Sequence, residues 1–324
     1  MKDRKCIKLL FTVSILLIGN HSLFSQSSYA TLDYLKSISG KQILSGQHNK
    51  EPNSDPDKWT EWIHETTGKY PALWSGDFLF QEENIENRWT MIHEAKKQWD
   101  KGIVVNIMWH ACNPALGGDP CGWDSSLLTK ISDEDWSQLI TDGTELNKVW
   151  KSMMDDVAQY LQFLEDKKVE VLFRPLHEMN QGAFWWGGRP GPDGTAQLFR
   201  ITHDYFTVTK GLSNLIWIWD MQDFTTLEND LVTYNPGGEY WDILALDYYE
   251  EPKGYTIEKY NIVLEAAGEK PIAIGECTKL PTAEELVEQP KWVFFMPWAE
   301  LVKKHNSIEE IKTLYGSQRV ITKD

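Results

Sequence analysis

Past its first twenty-five residues this chain has no apolar run long enough to cross a membrane and no glycine-rich loop of the kind that cradles phosphates. It also has no Ser/Pro/Gly linker, low-complexity tract or internal repeat. These absences argue against an integral membrane protein, a mononucleotide-binding fold and a string of modules. Positive charge is scarce as well: 32 Lys and Arg stand against 48 Asp and Glu, a formal net charge of −16. A field of that sign repels nucleic acid and anionic membrane surfaces, so neither is an expected partner, whereas a neutral polysaccharide pays no such penalty.

Cysteine is sparse, with four in the chain. Cys6 falls in an N-terminal segment with Lys2, Arg4, Lys5 and Lys8 ahead of an apolar core from Leu9 to Ile18. That pattern reads as a signal peptide over Met1 to Ser25, its core too short for a comfortable membrane span, which makes residues 26–324 an exported chain, periplasmic or extracellular. Removing the segment takes away four basic residues and one acid, so the net charge moves from −16 to −19. The other cysteines are Cys112, Cys121 and Cys277. Cys112 and Cys121 bracket the turn-rich Asn-Pro-Ala-Leu-Gly-Gly-Asp-Pro, and in an oxidising compartment that spacing suits a disulfide. A zinc site on His110, Cys112 and Cys121 is the alternative, although no CxxC or HxxxH pattern supports it, and no metal or cofactor is expected. Cys277 is expected to be a buried free thiol.

What the chain has in abundance is tryptophan, sixteen in all. Trp109, Trp123, Trp185, Trp186, Trp241 and Trp298 sit beside Gly, Pro or polar residues, where rings serve as platforms for the C–H faces of sugars. Trp217 lies in an apolar run and reads as core.

Eight short apolar or β-branched runs lie between residues 42 and 298: Gln42 to Ser45, Ala72 to Trp74, Ile103 to Met108, Val169 to Phe173, Leu215 to Trp219, Ile243 to Leu246, Ile272 to Ile274 and Trp292 to Phe295. Segments between them, such as Glu83 to Lys101, Thr144 to Lys167 and Thr195 to Lys210, carry apolar residues at helical intervals, for example Val149, Met153, Val157, Tyr160, Leu161 and Leu164. Eight strands alternating with helices predict a single-domain α/β fold, a (β/α)8 TIM barrel; an open doubly wound sheet is the alternative. A barrel brings the carboxyl ends of all its strands to one face. There stand Gln47-His48, Asp77, Trp109-His110, His177-Glu178, Asp220, Asp247-Tyr248-Tyr249, Glu276 and Pro297-Trp298.

Two of these junctions carry the chemistry. Val169 to Phe173 runs into Arg174, His177 and Glu178 and then into Phe184-Trp-Trp186, and Ile272-Ala-Ile-Gly leads into Glu276. Two carboxyl groups at strand ends among aromatic rings are what cleavage of a glycosidic bond requires, one as proton donor and one as nucleophile or base. The plain alternative is that both are salt-bridged strand-end acids, and Arg174 reads as a structural residue that orients a carboxylate.

The ordered set Ile43-Leu-Ser-Gly-Gln47, Trp109-His110 with Asn113-Pro114, Arg174-Pro-Leu-His-Glu178 with Phe184-Trp-Trp-Gly187, Asp247-Tyr-Tyr249 and Ile274-Gly-Glu276 resembles glycoside hydrolase family 26, best known for β-mannanases. The resemblance implies a retaining enzyme with Glu178 as acid/base after strand four and Glu276 as nucleophile after strand seven. It further implies that Tyr249 hydrogen-bonds the nucleophile, that His110 and His177 hold the sugar at the cleavage point, that Trp186 and Trp298 are cleft aromatics, and that Asp247 and Tyr249 belong with these as substrate-binding residues. Family members often carry Trp immediately before Phe-Trp-Trp; this chain has Ala183 there. The implied substrate is a β-mannan cleaved internally. Mixed-linkage β-glucan, β-1,3-xylan and a glycan-binding barrel without catalysis are the alternatives, the last disfavoured by the presence of both glutamates.

Overall fold

The structure, a computed structural model, describes residues 29–249 and 254–324. The expected signal segment, with Cys6, lies outside the described residues.

All eight apolar runs form strands: Ile43–His48 (β1), Leu73–Phe78 (β2), Val104–Trp109 (β3), Val171–Pro175 (β4), Leu215–Gln222 (β5), Ile243–Tyr248 (β6), Ile272–Cys277 (β7) and Trp292–Pro297 (β8). Each pairs with the next in parallel, and β8 closes on β1 through Leu44 opposite Phe294 and Ser45 opposite Phe295. The closed parallel barrel is therefore the fold, and the open-sheet alternative falls. Most strands run past their apolar stretch to take in polar residues, Gln47 and His48 in β1, Asp77 in β2, Asp220 in β5 and Asp247 in β6. Ladder hydrogen bonds are made by backbone groups, so a polar side chain does not end a strand when the barrel mouth has partners for it. Two short strands, Tyr70–Pro71 and Val320–Lys323, add a small antiparallel pair beside β1.

Alternation along the strands separates two apolar layers. Leu44, Met108, Leu172, Ile216, Ile218, Ala245, Ala273 and Phe294 form one buried cluster with Leu32, Leu35 and Ile38 of helix Ala30–Ile38. That helix packs at the amino ends of the strands, where Glu170, just before β4, accepts hydrogen bonds from the Ala30 and Thr31 amides. The opposite end of the barrel is thereby left for the site. The second layer, including Ile43, Trp74, Val105, Phe173 and Trp217, faces the surrounding helices.

Helix Glu145–Asp166 begins where the Thr144 hydroxyl accepts from the Asn147 amide, satisfying one of the first-turn donors. Its buried stripe is Leu146, Trp150, Met153, Met154, Val157, Leu161 and Leu164. Val149, expected on that stripe, is exposed, and its neighbour Trp150 faces inward instead. The predicted helix over 83–101 is broken at Asn87 into Glu82–Glu86 and Arg88–Asp100. None of the described helices is long and apolar enough to cross a membrane.

Candidate active site

The site is built around one buried cation. Arg174, on β4, sends Nη1 to Asp220 Oδ2 of β5 at 2.7 Å and to Asp247 Oδ2 of β6 at 2.9 Å, while Nη2 bonds the Glu276 carboxylate of β7. Its side chain is wholly buried. Gly275 is required here, because a Cβ would lie 2.5 Å from both Asp220 Oδ2 and Asp247 Oδ1. The β6–β7 register shifts at Leu246/Asp247, which sets Asp247 opposite Glu276. Glu276 receives a second donor, the Tyr249 hydroxyl, at 2.5 Å from Oε2. Burial and the facing Glu276 push the Tyr249 phenol well up, so it stays a donor. Tyr248 turns away and packs on Tyr255 and Trp292.

Glu178 stands on the segment that follows β4. Leu176 and Glu178 both have positive φ, 52° and 50°, a conformation that L residues adopt at a cost. Asp220 sustains it: its Oδ1 accepts from the Glu178 amide at 3.1 Å and its carbonyl from the Met179 amide at 3.3 Å. The turn then closes tightly enough that a Cβ on Gly187 would sit 2.2 Å from the Gln181 carbonyl oxygen. Carboxylate oxygens of Glu178, Asp247 and Glu276 lie within 4.8 Å of one another. Three such acids could hold a cation, but Arg174 already supplies positive charge to two of them.

The two glutamates have different surroundings. Burial raises Glu178 well above the usual carboxyl range, and the charges of Glu276 and Asp220 add to the shift. Burial raises Glu276 too, while Arg174 and the Tyr249 hydroxyl oppose the shift by favouring its ionised form. Glu178 is the group set up to hold a proton.

Histidines line the neighbouring wall. His110, just after β3, is held through Nδ1 by Asp77 Oδ2 of β2 at 2.7 Å, which leaves Nε2 for a ligand. The same carboxylate lies 3.6 Å from His48 Nε2. The Ser75 hydroxyl donates to Asn106 Oδ1 at 2.9 Å, so His48 must donate Nδ1–H to Ser75 Oγ, 2.8 Å away. Burial pushes His48 down to about 4. His177 is also buried, packs 4.6 Å from the His110 ring and is pushed well down by burial and by His110 and Arg174. Its Nδ1 has no hydrogen-bond partner among the described residues.

These groups open on a cleft of about 690 Å³ lined by Phe80, His110, Trp123, His177, Glu178, Gln181, Ala183, Phe184, Gln222, Tyr249, Glu276 and Trp298, among others. Trp298 stacks on His48 with ring centroids 4.0 Å apart. Two expected ligand contacts lie elsewhere. Trp186 has no exposed surface: it stacks behind Phe184 at 4.4 Å and donates Nε1–H to the His177 carbonyl, so Phe184 is the ring at the cleft. Asp247 is likewise wholly buried, held by Arg174 rather than facing a ligand. Trp109, Trp185 and Trp241 are not platforms either. Trp109 stacks on Trp150 and Trp185 packs edge-on to it, while Trp241 packs under the Lys270 ammonium.

Cys112 and Cys121 are bonded to each other, which removes both from the zinc alternative, and Cys277 is buried and free. Asp77 and Asp220 were legible as strand-end acids, but their roles as partners of His110 and of the Glu178 backbone had no local signal. Phe80, Gln181 and Gln222 were not foreseen at all.

The model of glycosyl hydrolase family 26 matches residues 22–324. A mannan endo-1,4-beta-mannosidase of Thermothelomyces thermophilus is 32% identical over 94% of this chain and 62% of its own length. The chain thus spans about three-fifths of that relative. Among solved structures, GH26A from a Muricauda species is 36% identical with a TM-score of 0.83, covering 90% of this chain and 94% of its own. A β-mannanase from a symbiotic protist of the termite Reticulitermes speratus, complexed with gluco-manno-oligosaccharide, is 28% identical with a TM-score of 0.77, over 89% and 91% of the two chains.

Proposed function

This chain belongs to glycosyl hydrolase family 26, and we propose that it is an endo-acting hydrolase of β-1,4-mannan that retains anomeric configuration, with Glu178 as acid/base and Glu276 as nucleophile. The observation that carries the mechanism is the approach of their carboxylate oxygens to within 4.8 Å. Retaining enzymes hold the pair about 5 to 5.5 Å apart, whereas inverting enzymes need about 6.5 to 9.5 Å to admit a water between them.

In the first step Glu178 gives its proton to the glycosidic oxygen as the bond to the leaving sugar breaks, and a Glu276 oxygen bonds the anomeric carbon. Forming that ester cancels the negative charge of Glu276, one of the causes that raise Glu178. Glu178, now ionised, takes a proton from water, whose oxygen attacks the anomeric carbon and releases Glu276. Arg174 and Tyr249 keep Glu276 available as an anion before attack. His110 and His177 line the cleft and hold sugar hydroxyls, and Trp298 offers a stacking face.

Mannan as substrate and internal cleavage rest on the activity named for the relatives. The segment Met1 to Ser25 acts as an export signal for a catalytic unit over residues 26–324. A disulfide between Cys112 and Cys121 supports that assignment, because such bonds persist in oxidising compartments.

Release of reducing ends from mannan, mixed-linkage β-glucan and β-1,3-xylan, with Glu178→Ala and Glu276→Ala beside the parent, tests the reading. Mannan is expected to be cleaved fastest, each variant to lose activity by several orders of magnitude, and the first product to keep the β-anomer. Unimpaired variants, or an inverted first product, would end it.

A further inference from the structure

Lys259 is a buried cation that the two-step hydrolysis does not use. It is 8% exposed, and its ammonium bonds Asp223 Oδ2 at 2.5 Å. Lysine is seldom buried, because taking an ammonium out of water is costly unless a charge partner meets it. Its place along the chain is unfavourable too. Lys259 is the third residue of helix Ile257–Ala267, and its amide donates to the Thr256 hydroxyl that caps the helix, at 3.3 Å. The first turn of a helix carries partial positive charge, so a cation there is repelled where an acid would be favoured. Burial and helix end both act against this lysine, and the Asp223 carboxylate offsets them.

Asp223 leads from this cation to the site. It follows β5 directly and is wholly buried. Its Oδ1 accepts from the Tyr249 amide at 3.2 Å, and its own amide donates to the Asp247 carbonyl at the same distance. These two bonds clasp the chain on both sides of Tyr248 as it leaves β6. Tyr249 is the first residue past that strand, where ladder hydrogen bonds no longer fix the backbone. Where the phenol points, and so whether its hydroxyl reaches Glu276 Oε2, depends on how firmly Asp223 pins that peptide. A carboxylate held at Oδ2 by an ammonium cannot turn away from the amide at Oδ1. Neither Lys259 nor Asp223 lines the cleft.

We propose that Lys259 is a positioning residue for the hydrolysis: through Asp223 it holds the Tyr249 backbone so that the phenol donates to the nucleophile. This rests on the mechanism proposed above. The ionisation of Glu276 is then tied to an ion pair behind the cleft that never meets the substrate.

The test is a double-variant cycle with mannan as substrate. Lys259→Met is expected to lower kcat about tenfold with KM unchanged, and to move the acid limb of kcat/KM to higher pH, the direction for loss of a donor to Glu276. Lys259→Arg, which keeps the charge, recovers both in part. In a Tyr249→Phe background Lys259→Met changes neither, because the hydroxyl it places is gone, while the charged or ionisable groups facing Glu276 directly, Arg174, Asp220, Asp247 and Glu178, are the same throughout. Should Lys259→Met fail to fold, Asp223→Asn, which releases the ammonium, carries the same readouts. An unmoved acid limb overturns the proposal. So do effects that add in the double variant, or an equal effect from Lys270→Met, which removes a partly buried lysine bonded to the Gly238 and Trp241 carbonyls. Crystal structures of parent and variant answer without turnover: a Tyr249 hydroxyl still bonded to Glu276 in the variant counts against the role, and a displaced one supports it. A parent that cleaves no mannan refutes the function proposed above instead, and the crystallographic comparison then decides the positioning by itself.

Discussion

The Tyr249 hydroxyl donates to Glu276 Oε2 at 2.5 Å, while Arg174 bonds the other oxygen of the same carboxylate. A donor to the charged form favours ionisation, so removing it raises the pKa of Glu276. Tyr249→Phe is therefore expected to move the acid limb of kcat/KM to higher pH. It should also lower kcat by about a hundredfold, within the range seen when one charge-stabilising donor is lost. A pH–rate profile of parent and variant checks both, and an unmoved acid limb would mean the contact does not govern the nucleophile.

Glu178 gives a prediction on the alkaline side. Its folded pKa lies well above the unfolded value of 4.5, so the general acid survives to higher pH than a free carboxyl would. The alkaline limb of kcat/KM should be absent in Glu178→Gln when the leaving group is activated and needs no proton. Linkage has the matching sign. A raised folded pKa contributes stability that is fully present below the unfolded pKa and lost as pH rises through the folded one. Glu178→Gln should accordingly gain most in melting temperature, relative to the parent, at alkaline pH.

His48 acts in the opposite direction. Burial holds its folded pKa at about 4, below the ordinary value of 6.5. The unfolded chain binds a proton between those values and the folded chain does not, so stability is complete above pH 6.5 and is lost as pH falls toward 4. The size is about 3 kcal/mol, at roughly 1.4 kcal/mol per unit. Denaturant titrations of the parent at pH 7 and pH 4 should show this loss, and His48→Gln should blunt it; an equal slope in both would assign acid sensitivity elsewhere.

Trp186→Ala is expected to cost about 3 to 5 kcal/mol of folding stability, the range for removing a large buried ring. Its effect on mannan binding should be secondary, through slackening of Phe184 and the His177 carbonyl. Chemical denaturation beside substrate titration separates the two. A variant of normal stability with weakened binding would return Trp186 to the cleft.

The barrel could be read before any coordinates because parallel strands buried on both faces appear as apolar runs wherever they stand, and the carboxyl ends of all eight must share one face. Glu178, His110, Tyr249 and Glu276 were visible for that reason: each lies where an apolar run stops and a polar residue takes over. Trp186 and Asp247 satisfy the same local description but face inward. Whether a ring after a strand meets solvent depends on what packs over it, here Phe184 in front and Trp185 beside. Asp247 is turned from the cleft by Arg174, a residue on a different strand.

The linear order of residues thus determined the strand count, the closed parallel architecture, the two junctions that end in glutamate and the cysteine pair that could bridge a loop. Tertiary structure alone decided which carboxyl group is held by Arg174 and Tyr249 and which is not, and which of sixteen tryptophans reach the cleft. The physical reason is range. Strand formation follows from hydrophobic patterning and backbone hydrogen bonding over a few residues, whereas the protonation of a buried acid follows from charges and donors a few ångströms away in space and far apart along the chain.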